Sequence, residues 1–331
     1  LAVALSRAYR IGFDGACREV LGISEDRLYQ LWKSDITSGY RRREKEIRKD
    51  GTEGKVIAGE GFLNLYPVPD GTGGLYYLSN RGGDYSDMDL VHRDSGGGIT
   101  VIAEGITSRF TLSPDRRSLC YSRISTDNPE NRDYNSLFIY NTEKRRERKI
   151  PNTVRGSNPD YSPDGEFITA VFTSGCTDHI EIINHSNGQR QKLLEPEMGT
   201  QFYGLSWGEK GILASRFDCT SRDIILIDPG SGESRELLCC GADERDPVWD
   251  STGRSFFYST DLSGVFNIYT MDMDSGESKR VTNVLGGAFA PRNEEGTIYY
   301  HSYQSGGYKI SALDDWEKRC KSREECGADS A

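Results

Sequence analysis

The sequence predicts an all-β fold that is built from a repeated unit of short strands, and three observations support this. The chain of 331 residues contains 37 Gly, 18 Tyr and 12 Phe but only 4 Met, a composition that favours short strands and tight turns. Helical periodicity is confined to the first part of the chain, up to about residue 50. Beyond it, a turn resembling Pro-Asp-Gly recurs between apolar runs. We therefore predict an all-β body preceded by a short N-terminal helical segment.

The recurring turn has a regular period. The turn positions, one in each repeat, are Gly71, Arg116, Gly165, Gly211, Gly253 and Gly296. The steps between successive positions are 45, 49, 46, 42 and 43 residues. A period in the mid-forties, with several short strands in each unit, is typical of a β-propeller blade. The sequence thus predicts a propeller of six blades.

A second landmark keeps the same period. Apolar runs lead into turns that end in Ser-Gly or Asn-Gly, at residues 94–96, 186–188, 230–232 and 274–276. Asp, Asn or Ser with a following Gly supplies the backbone conformation that a tight hairpin requires. The first turn of each unit should then join strands one and two, and the second turn should join strands three and four. Each blade is therefore predicted to contain four strands.

The clearest single repeat is at residues 244–283, "ERDPVWDSTGRSFFYSTDLSGVFNIYTMDMDSGESKRVTN". It resembles the repeat of TolB-like propellers with WD40-like repeats, whose blades carry a W-S-P-D-G turn and an I-Y-x-M-D-x-D-S-G hairpin. Residues 154–172 resemble the first half of that repeat, and the whole resemblance covers residues 55–313, with the second, fourth and sixth blades degenerate. It implies a six-bladed propeller of the bacterial periplasm or cell envelope that is used for binding.

The chain is predicted to have three parts. Residues 1–50 should be helical, with Ser24 as the N-cap of a helix. This stretch is similar to the last helices of gluzincin-type metallopeptidase domains, which precede such a propeller in some bacterial envelope proteins. Residues 51–313 should form the propeller, and residues 314–331 a C-terminal tail. Because the first residue is Leu and no whole signal peptide follows, we expect a fragment of a longer protein.

Composition argues against several classes of function. The 51 acidic and 41 basic residues give a net charge of −10, so nucleic acid is not expected as a partner. No apolar run approaches the roughly 18 residues that a membrane-spanning helix needs. The eight cysteines form no CxxC pair, which predicts neither a zinc site nor a disulfide framework, although a bridge from Cys320 to Cys326 stays open.

Motifs typical of enzymes have structural explanations in the repeat. The four histidines do not form the H-E-x-x-H of gluzincins, so no metal and no cofactor is predicted. Residues 204–208 fit the G-x-S-x-G of serine hydrolases, but Ser206 is expected on a blade's first strand rather than at a strand-to-helix elbow. Asp164 has counterparts in the turns of other blades, so it is predicted to make a turn rather than to form a catalytic pair with Asp160. We therefore predict no catalytic residue.

Three polar residues fall at one equivalent position of three repeats: Arg109, Asn158 and Asp246. Each precedes by three residues the aromatic or apolar residue that ends the first strand. Equivalent positions of a propeller form a ring, and polar groups around a concavity can hold a ligand. We predict a binding module that engages a protein, peptide or glycan at this channel mouth. The alternatives are that these side chains only cap strand ends, or that the chain is the accessory propeller of a metallopeptidase or a propeller hydrolase or lyase.

Two predictions concern the assembly of the ring. Residues 55–58 should supply the outer strand of the last blade by pairing with residues near 308–313, which would remove an exposed sheet edge. Tyr161, Trp207 and Trp249 occupy equivalent positions and should be buried between neighbouring blades.

Overall fold

The computed structural model describes residues 2–85, 87–239 and 241–322. They divide into two compact units, one up to Gly51 and one from Thr52 onward. The first unit contains helices α1 (Ala2–Leu21) and α2 (Glu25–Lys49). Ser24 caps α2 as predicted, because its Oγ accepts a hydrogen bond of 3.2 Å from the backbone N–H of Arg27. Neither helix combines the length and the apolar character that crossing a membrane requires.

The second unit is a closed ring of six antiparallel sheets, which confirms the predicted propeller. Blade one contains β2 (Asn64–Pro69), β3 (Leu75–Ser79), β4 (Asp89–Arg93) and β5 (Ile99–Ala103). Blade two contains β6 (Thr111–Leu112), β7 (Ser118–Ser125), β8 (Tyr134–Asn141) and β9 (Arg146–Lys149). Blade three contains β10 (Gly156–Tyr161), β11 (Phe167–Ser174), β12 (Thr177–Asn184) and β13 (Gln189–Leu194). Blade four contains β14 (Gln201–Gly208), β15 (Gly211–Phe217), β16 (Arg222–Ile227) and β17 (Ser234–Leu238).

Blade five contains β18 (Glu244–Trp249), β19 (Ser255–Thr260), β20 (Asn267–Asp272) and β21 (Ser278–Arg280). Blade six contains β22 (Ala288–Glu294), β23 (Thr297–Gln304) and β24 (Gly307–Asp314), with β1 (Lys55–Ala58) as its outer strand. In each blade the first strand of the repeat is innermost, and the next three lie progressively outward. The first predicted turn joins strands one and two in all six blades, and the second turns, at residues 94–96, 186–188, 230–232 and 274–276, join strands three and four in blades one, three, four and five, as expected.

The ring closes where β1 pairs antiparallel with β24, as the sequence predicts. Lys55 lies opposite Ala312, and Val56 lies opposite Ser311. This pairing supplies the fourth strand of blade six from the opposite end of the propeller sequence. It also covers the edge of β24, which would otherwise present unpaired backbone groups to other chains.

The C-terminal tail returns to blade five. After β24, a short 3₁₀ helix (Trp316–Arg319) places Trp316 edge-on against Phe257, with ring centroids 4.9 Å apart. The strand β25 (Lys321–Ser322) then pairs with β21 and gives blade five a fifth strand, which the sequence did not predict. Cys326 lies outside the described residues, so the bridge from Cys320 to Cys326 stays an open expectation.

The aromatic residues at the ends of the inner strands pack largely as predicted. Tyr161 and Trp249 are buried, whereas Trp207 is only partly buried because it borders the central channel. Trp249 packs on blade four: its indole Nε1 donates a 3.0 Å hydrogen bond to the carbonyl oxygen of Gly211. The blade register inferred from the sequence is therefore confirmed for Tyr161 and Trp249.

Replacing Trp249 tests how much the packing between blades four and five contributes to stability. The side chain is 9% exposed, so we expect Trp249→Ala to lower the free energy of unfolding by about 3–5 kcal/mol through lost burial and a residual cavity. Chemical denaturation followed by circular dichroism measures this loss. Trp32→Ala is the control, since Trp32 is 56% exposed on α2 and should change stability little. Equal effects of the two substitutions would contradict the expectation.

Candidate functional site

A β-bulge lies in the inner strand of five blades and shapes the central channel. The pairing register shifts between residues 65 and 68, 157 and 160, 203 and 206, 245 and 248, and 289 and 292. Within each bulge one residue has a left-handed backbone conformation, and these residues are Tyr66, Asn158, Gly204, Asp246 and Ala290. Arg109 occupies the equivalent position of blade two, just before the short strand β6. We call these six equivalent residues the bulge ring.

A proline follows the bulge-ring residue in four of the six blades: Pro67, Pro159, Pro247 and Pro291. Proline has no N–H to donate and is found in sheets mainly on edge strands and at bulges. Each of these prolines lies in a bulge, and each inner strand is the edge of its sheet that borders the channel. These prolines are therefore a sequence signal that locates the bulge ring.

An ion pair crosses the channel at the level of the bulge ring. Arg109 Nη1 of blade two lies 3.2 Å from Asp246 Oδ1 of blade five, and these two blades are opposite each other in a ring of six. The Arg109 side chain is only 8% exposed. Its guanidinium carbon also lies 5.3 Å from the centre of the Tyr66 ring, a distance suited to a cation–π interaction. Arg109 and Asp246 therefore bridge opposite walls of the channel.

Glycine at position 204 leaves room for this bridge. A Cβ on Gly204 would lie 2.6 Å from Arg109 Nη1, which is closer than real Cβ contacts allow. The backbone there also has a φ of 56°, which favours glycine. A side chain in blade four at this level would displace the guanidinium that reaches Asp246.

The three residues predicted to bind a ligand lie at one level of the channel. Arg109 and Asp246 bind each other, whereas Asn158 is held by its backbone N–H, which donates a 3.0 Å hydrogen bond to Ser108 Oγ. The Asn158 carboxamide is partly exposed and has no hydrogen-bond partner among the described residues. That these three residues contact a ligand stays a prediction.

The two ends of the channel have different surfaces. We call the end where each inner strand begins the entry face, and the end where each inner strand turns into the second strand the exit face. Eight exposed large hydrophobic residues lie in the entry-face loops or next to them: Phe62, Tyr85, Ile124, Met198, Tyr203, Leu262, Leu285 and Tyr303. Within residues 2–85, 87–239 and 241–322, the exit-face turns carry no exposed large hydrophobic residue.

Aromatic rings connect the rim of the entry face to the ion pair. We call them the aromatic path: Tyr303, Tyr308, Phe289, His301 and Tyr66. Successive ring centroids are 5.1 Å apart for Tyr303 and Tyr308, 5.5 Å for Tyr308 and His301, and 5.4 Å for His301 and Tyr66. Phe289 stacks on His301 at 5.5 Å. The path runs from blade six to blade one and ends at the ring that contacts Arg109.

Phe62 and Tyr85 extend this aromatic surface over blade one. Their ring centroids are 5.7 Å apart, and the Phe62 carbonyl accepts a 2.7 Å hydrogen bond from the backbone N–H of Tyr308. Gly307 permits this contact, because a Cβ there would lie 2.1 Å from the Phe62 carbonyl oxygen. Phe62, Tyr85 and Tyr303 thus form one exposed aromatic rim beside the channel.

A cavity of about 440 Å³ opens on the exit face. Its walls include the residue two positions beyond the bulge ring in every blade: Val68, Thr111, Asp160, Ser206, Val248 and Arg292. Asp160 is buried, and its Oδ1 and Oδ2 accept hydrogen bonds from Thr111 Oγ1 at 2.6 Å and from the Trp207 N–H at 2.7 Å. Burial raises the pKa of the Asp160 carboxyl above its ordinary value, against the opposing effect of Arg292.

Asp164 and Ser206, which belong to motifs that resemble catalytic ones, make hydrogen bonds within the propeller. Asp164 Oδ1 accepts hydrogen bonds from Ser162 Oγ at 2.6 Å and from the Glu166 N–H at 2.9 Å, which confirms its predicted role in a turn. Ser206 lies on β14, and its Oγ accepts a hydrogen bond from the Trp249 N–H. In the described part of the chain, no three His, Cys, Asp or Glu side chains group as metal ligands would.

The sequence is similar to two bacterial proteins. It is 30% identical over 205 residues to an uncharacterized peptidase, YuxL, of Bacillus subtilis (strain 168), a match that covers 59% of this chain and 29% of the peptidase. It is 26% identical over 200 residues to the uncharacterized protein Atu1656 of Agrobacterium fabrum (strain C58), covering 59% of this chain and 67% of that protein. The chain thus spans less than a third of the matching peptidase. No protein-family model matches it.

Solved structures with this fold include TolB and a lyase. TolB from Acinetobacter baumannii superposes with a TM-score of 0.54 at 14% identity, covering 75% of this chain and 65% of TolB. Oligogalacturonate lyase from Vibrio parahaemolyticus superposes with a TM-score of 0.53 at 13% identity, covering 75% of this chain and 76% of the lyase. At these identities the likeness establishes the TolB-like six-bladed propeller fold.

Acidification should destabilise the fold through His301, which lies on the aromatic path. Its Nδ1 accepts a hydrogen bond from the Tyr66 N–H, and burial lowers its pKa from 6.5 to about 4. Above about pH 6.5 the His301 imidazole is unprotonated in both the folded and the unfolded state. Between about pH 4 and about pH 6.5 it is protonated only in the unfolded state. The free energy of unfolding should therefore fall by roughly 2–3 kcal/mol from about pH 7 to about pH 4.5 on account of His301 alone.

Urea denaturation of the wild type and of His301→Gln at the two pH values measures this contribution. Glutamine can accept the same hydrogen bond but does not titrate, so the variant should lose less stability on acidification by that amount. The same pH dependence in both proteins would show that His301 does not contribute.

Proposed function

We propose that this chain is a non-catalytic binding module of the bacterial periplasm or cell envelope, which engages a protein or peptide segment at the entry face. The observation that carries the proposal is the exposed aromatic rim, Phe62, Tyr85 and Tyr303, which continues through the aromatic path into the channel. Exposed aromatic groups beside a concavity are typical of interaction surfaces.

The free energy gained by burying the rim side chains is of the size needed to bind a short peptide segment. Fully burying a large apolar side chain contributes roughly 1.5–3 kcal/mol, and aromatic residues are frequent hot spots of interfaces. Three rim residues on two adjacent blades could thus provide much of the binding free energy of a short segment. The exit face lacks such a surface among the described residues, which favours the entry face.

Polar groups at the bulge ring would orient the bound segment. The Asn158 carboxamide can both donate to and accept from a peptide backbone, and its hydrogen-bonding groups are not used by the described residues. Arg109 and Asp246 already satisfy each other, so a ligand would meet them as an ion pair rather than as separate charges. We propose Arg109, Asn158 and Asp246 as the polar floor of this site.

Selection of a displayed peptide library on the wild-type chain tests the proposal. We expect enriched peptides whose affinity falls at least about tenfold in a Tyr85→Ala, Tyr303→Ala variant, since two apolar contacts are lost. Tyr40→Ala is the matched control, because Tyr40 and Tyr85 are both 67% exposed and Tyr40 lies on α2. The Asn158→Ala variant should also bind more weakly.

Three results would contradict the proposal. The first is a selection that enriches no peptide on the wild type. The second is undiminished binding by the rim variant, and the third is cleavage of the selected peptides by the isolated chain. Enrichment of glycans instead of peptides on an array, lost in the same rim variant, would keep the entry-face site but reject a protein partner.

A second candidate function is that of an accessory propeller in a peptidase. It rests on the 30% identity with the uncharacterized Bacillus subtilis peptidase, of which this chain covers 29%. Residues 1–50, which resemble the end of a gluzincin-type domain, would then connect the propeller to a catalytic domain. We expect the coding sequence upstream of Leu1 to encode H-E-x-x-H if this is correct, and sequencing the gene checks it. An upstream sequence without that motif would reject the gluzincin assignment.

A further inference from the structure

The exit-face cavity is separate from the site proposed above. It lies beyond the Arg109–Asp246 ion pair, two residues further along each inner strand. Blades three and six face each other across it, so Asp160 and Arg292 project from opposite walls. They do not form an ion pair within 4.0 Å, which leaves space between a carboxylate and a guanidinium.

Arg292 has no acceptor for its guanidinium. It makes no side-chain hydrogen bond and no ion pair with any residue that the structure describes. Burial lowers its pKa to about 10, although the electrostatic effect of Asp160 opposes this. Arg292 is partly exposed at the cavity wall, so the five N–H donors of its guanidinium are open to a ligand. The other arginine of the cavity, Arg116, is already paired with Glu294 at 2.7 Å.

We infer that the exit-face cavity binds a ligand that carries a carboxylate, which is seated on Arg292, and an N–H or O–H donor, which is directed at Asp160. A planar guanidinium matches a carboxylate with two parallel hydrogen bonds. Each Asp160 oxygen already accepts one hydrogen bond and has a further lone pair for a ligand donor.

The size and charge of the cavity narrow the class of ligand. A volume of about 440 Å³ suits a small molecule or the last residues of a peptide. Val68, Val248 and Trp207 provide apolar walls between the two charged residues. A phosphate dianion would be repelled by the Asp160 carboxylate, and Arg292 is the single unpaired cation of the cavity, among the described residues, that could balance its two charges. A carboxylate carries only one negative charge and therefore fits better. The shared chemistry is that of an α-amino acid or of a peptide C-terminus.

Isothermal titration calorimetry with four probe sets tests the inference. The sets are free α-amino acids, their amides, N-acetylated tetrapeptides with a free C-terminus, and the same tetrapeptides as C-terminal amides. We expect wild-type protein to bind at least one free-acid set and neither amide set. Binding of amino acids or of tetrapeptides then distinguishes a small acid from a peptide terminus.

Arg292→Gln should weaken this binding at least about tenfold, because the charge-assisted hydrogen bonds are lost. Arg254→Gln is the matched control, since Arg254 is exposed beside the cavity but does not line it. The unfolding temperature of Arg292→Gln is measured alongside, so that lost binding is not confused with lost folding. Val68→Phe is a second variant, which fills the cavity without changing any charge and should also abolish binding.

Failure of both free-acid sets to bind the wild type at up to about 5 mM would overturn the inference. So would equal binding of acids and amides, or undiminished binding by Arg292→Gln or by Val68→Phe. None of these results bears on the entry face, because its rim residues lie on the other side of the ion pair.

Discussion

Antiparallel pairing of β1 with β24 is the constraint on which the rest of the propeller depends. It joins residues that are more than two hundred positions apart, such as Lys55 and Ala312, and it turns a row of blades into a ring. Only in a ring do all six inner strands border one channel. The pairing also protects the edge of the last blade, so the same hydrogen bonds provide both closure and resistance to edge-to-edge association.

The bulges then decide what faces the channel. An inner strand has no partner on its channel side, so an extra residue can be accommodated there without breaking a second ladder. The left-handed residue of the bulge in blade five places Asp246 at the same level as Arg109 of blade two, where these opposite blades are close enough for an ion pair. Two residues further along, Asp160 and Arg292 face each other without contact. The channel is thereby divided into an aromatic entry mouth and a polar exit cavity.

The contrast between the two ends follows from the geometry of the connections. The exit-face turns are tight, and Asp or Asn side chains stabilise them by accepting backbone hydrogen bonds, as Asp164 and Asp228 do. Few positions in them are free to vary. Most entry-face connections between blades and between the second and third strands are longer, although those after β11 and β23 are two-residue turns, and such connections can carry aromatic residues without disturbing the sheets. Phe62, Tyr85 and Tyr303 all lie in or next to these loops.

The sequence alone was enough to determine the repeat, the number of blades, the two turns of each blade and the closure by residues 55–58. All of these depend on local signals, namely turn residues and alternation, that recur with one period. It also identified Arg109, Asn158 and Asp246 as equivalent positions, and the prolines beside the bulges could have located the rest of that ring. The pairing of Arg109 with Asp246, 137 residues apart, was decided only by the tertiary structure. The same is true of the opposition of Asp160 and Arg292 and of the aromatic path. These contacts cross from one blade to another, and the distance across a ring depends on how all six blades pack, which no local pattern specifies.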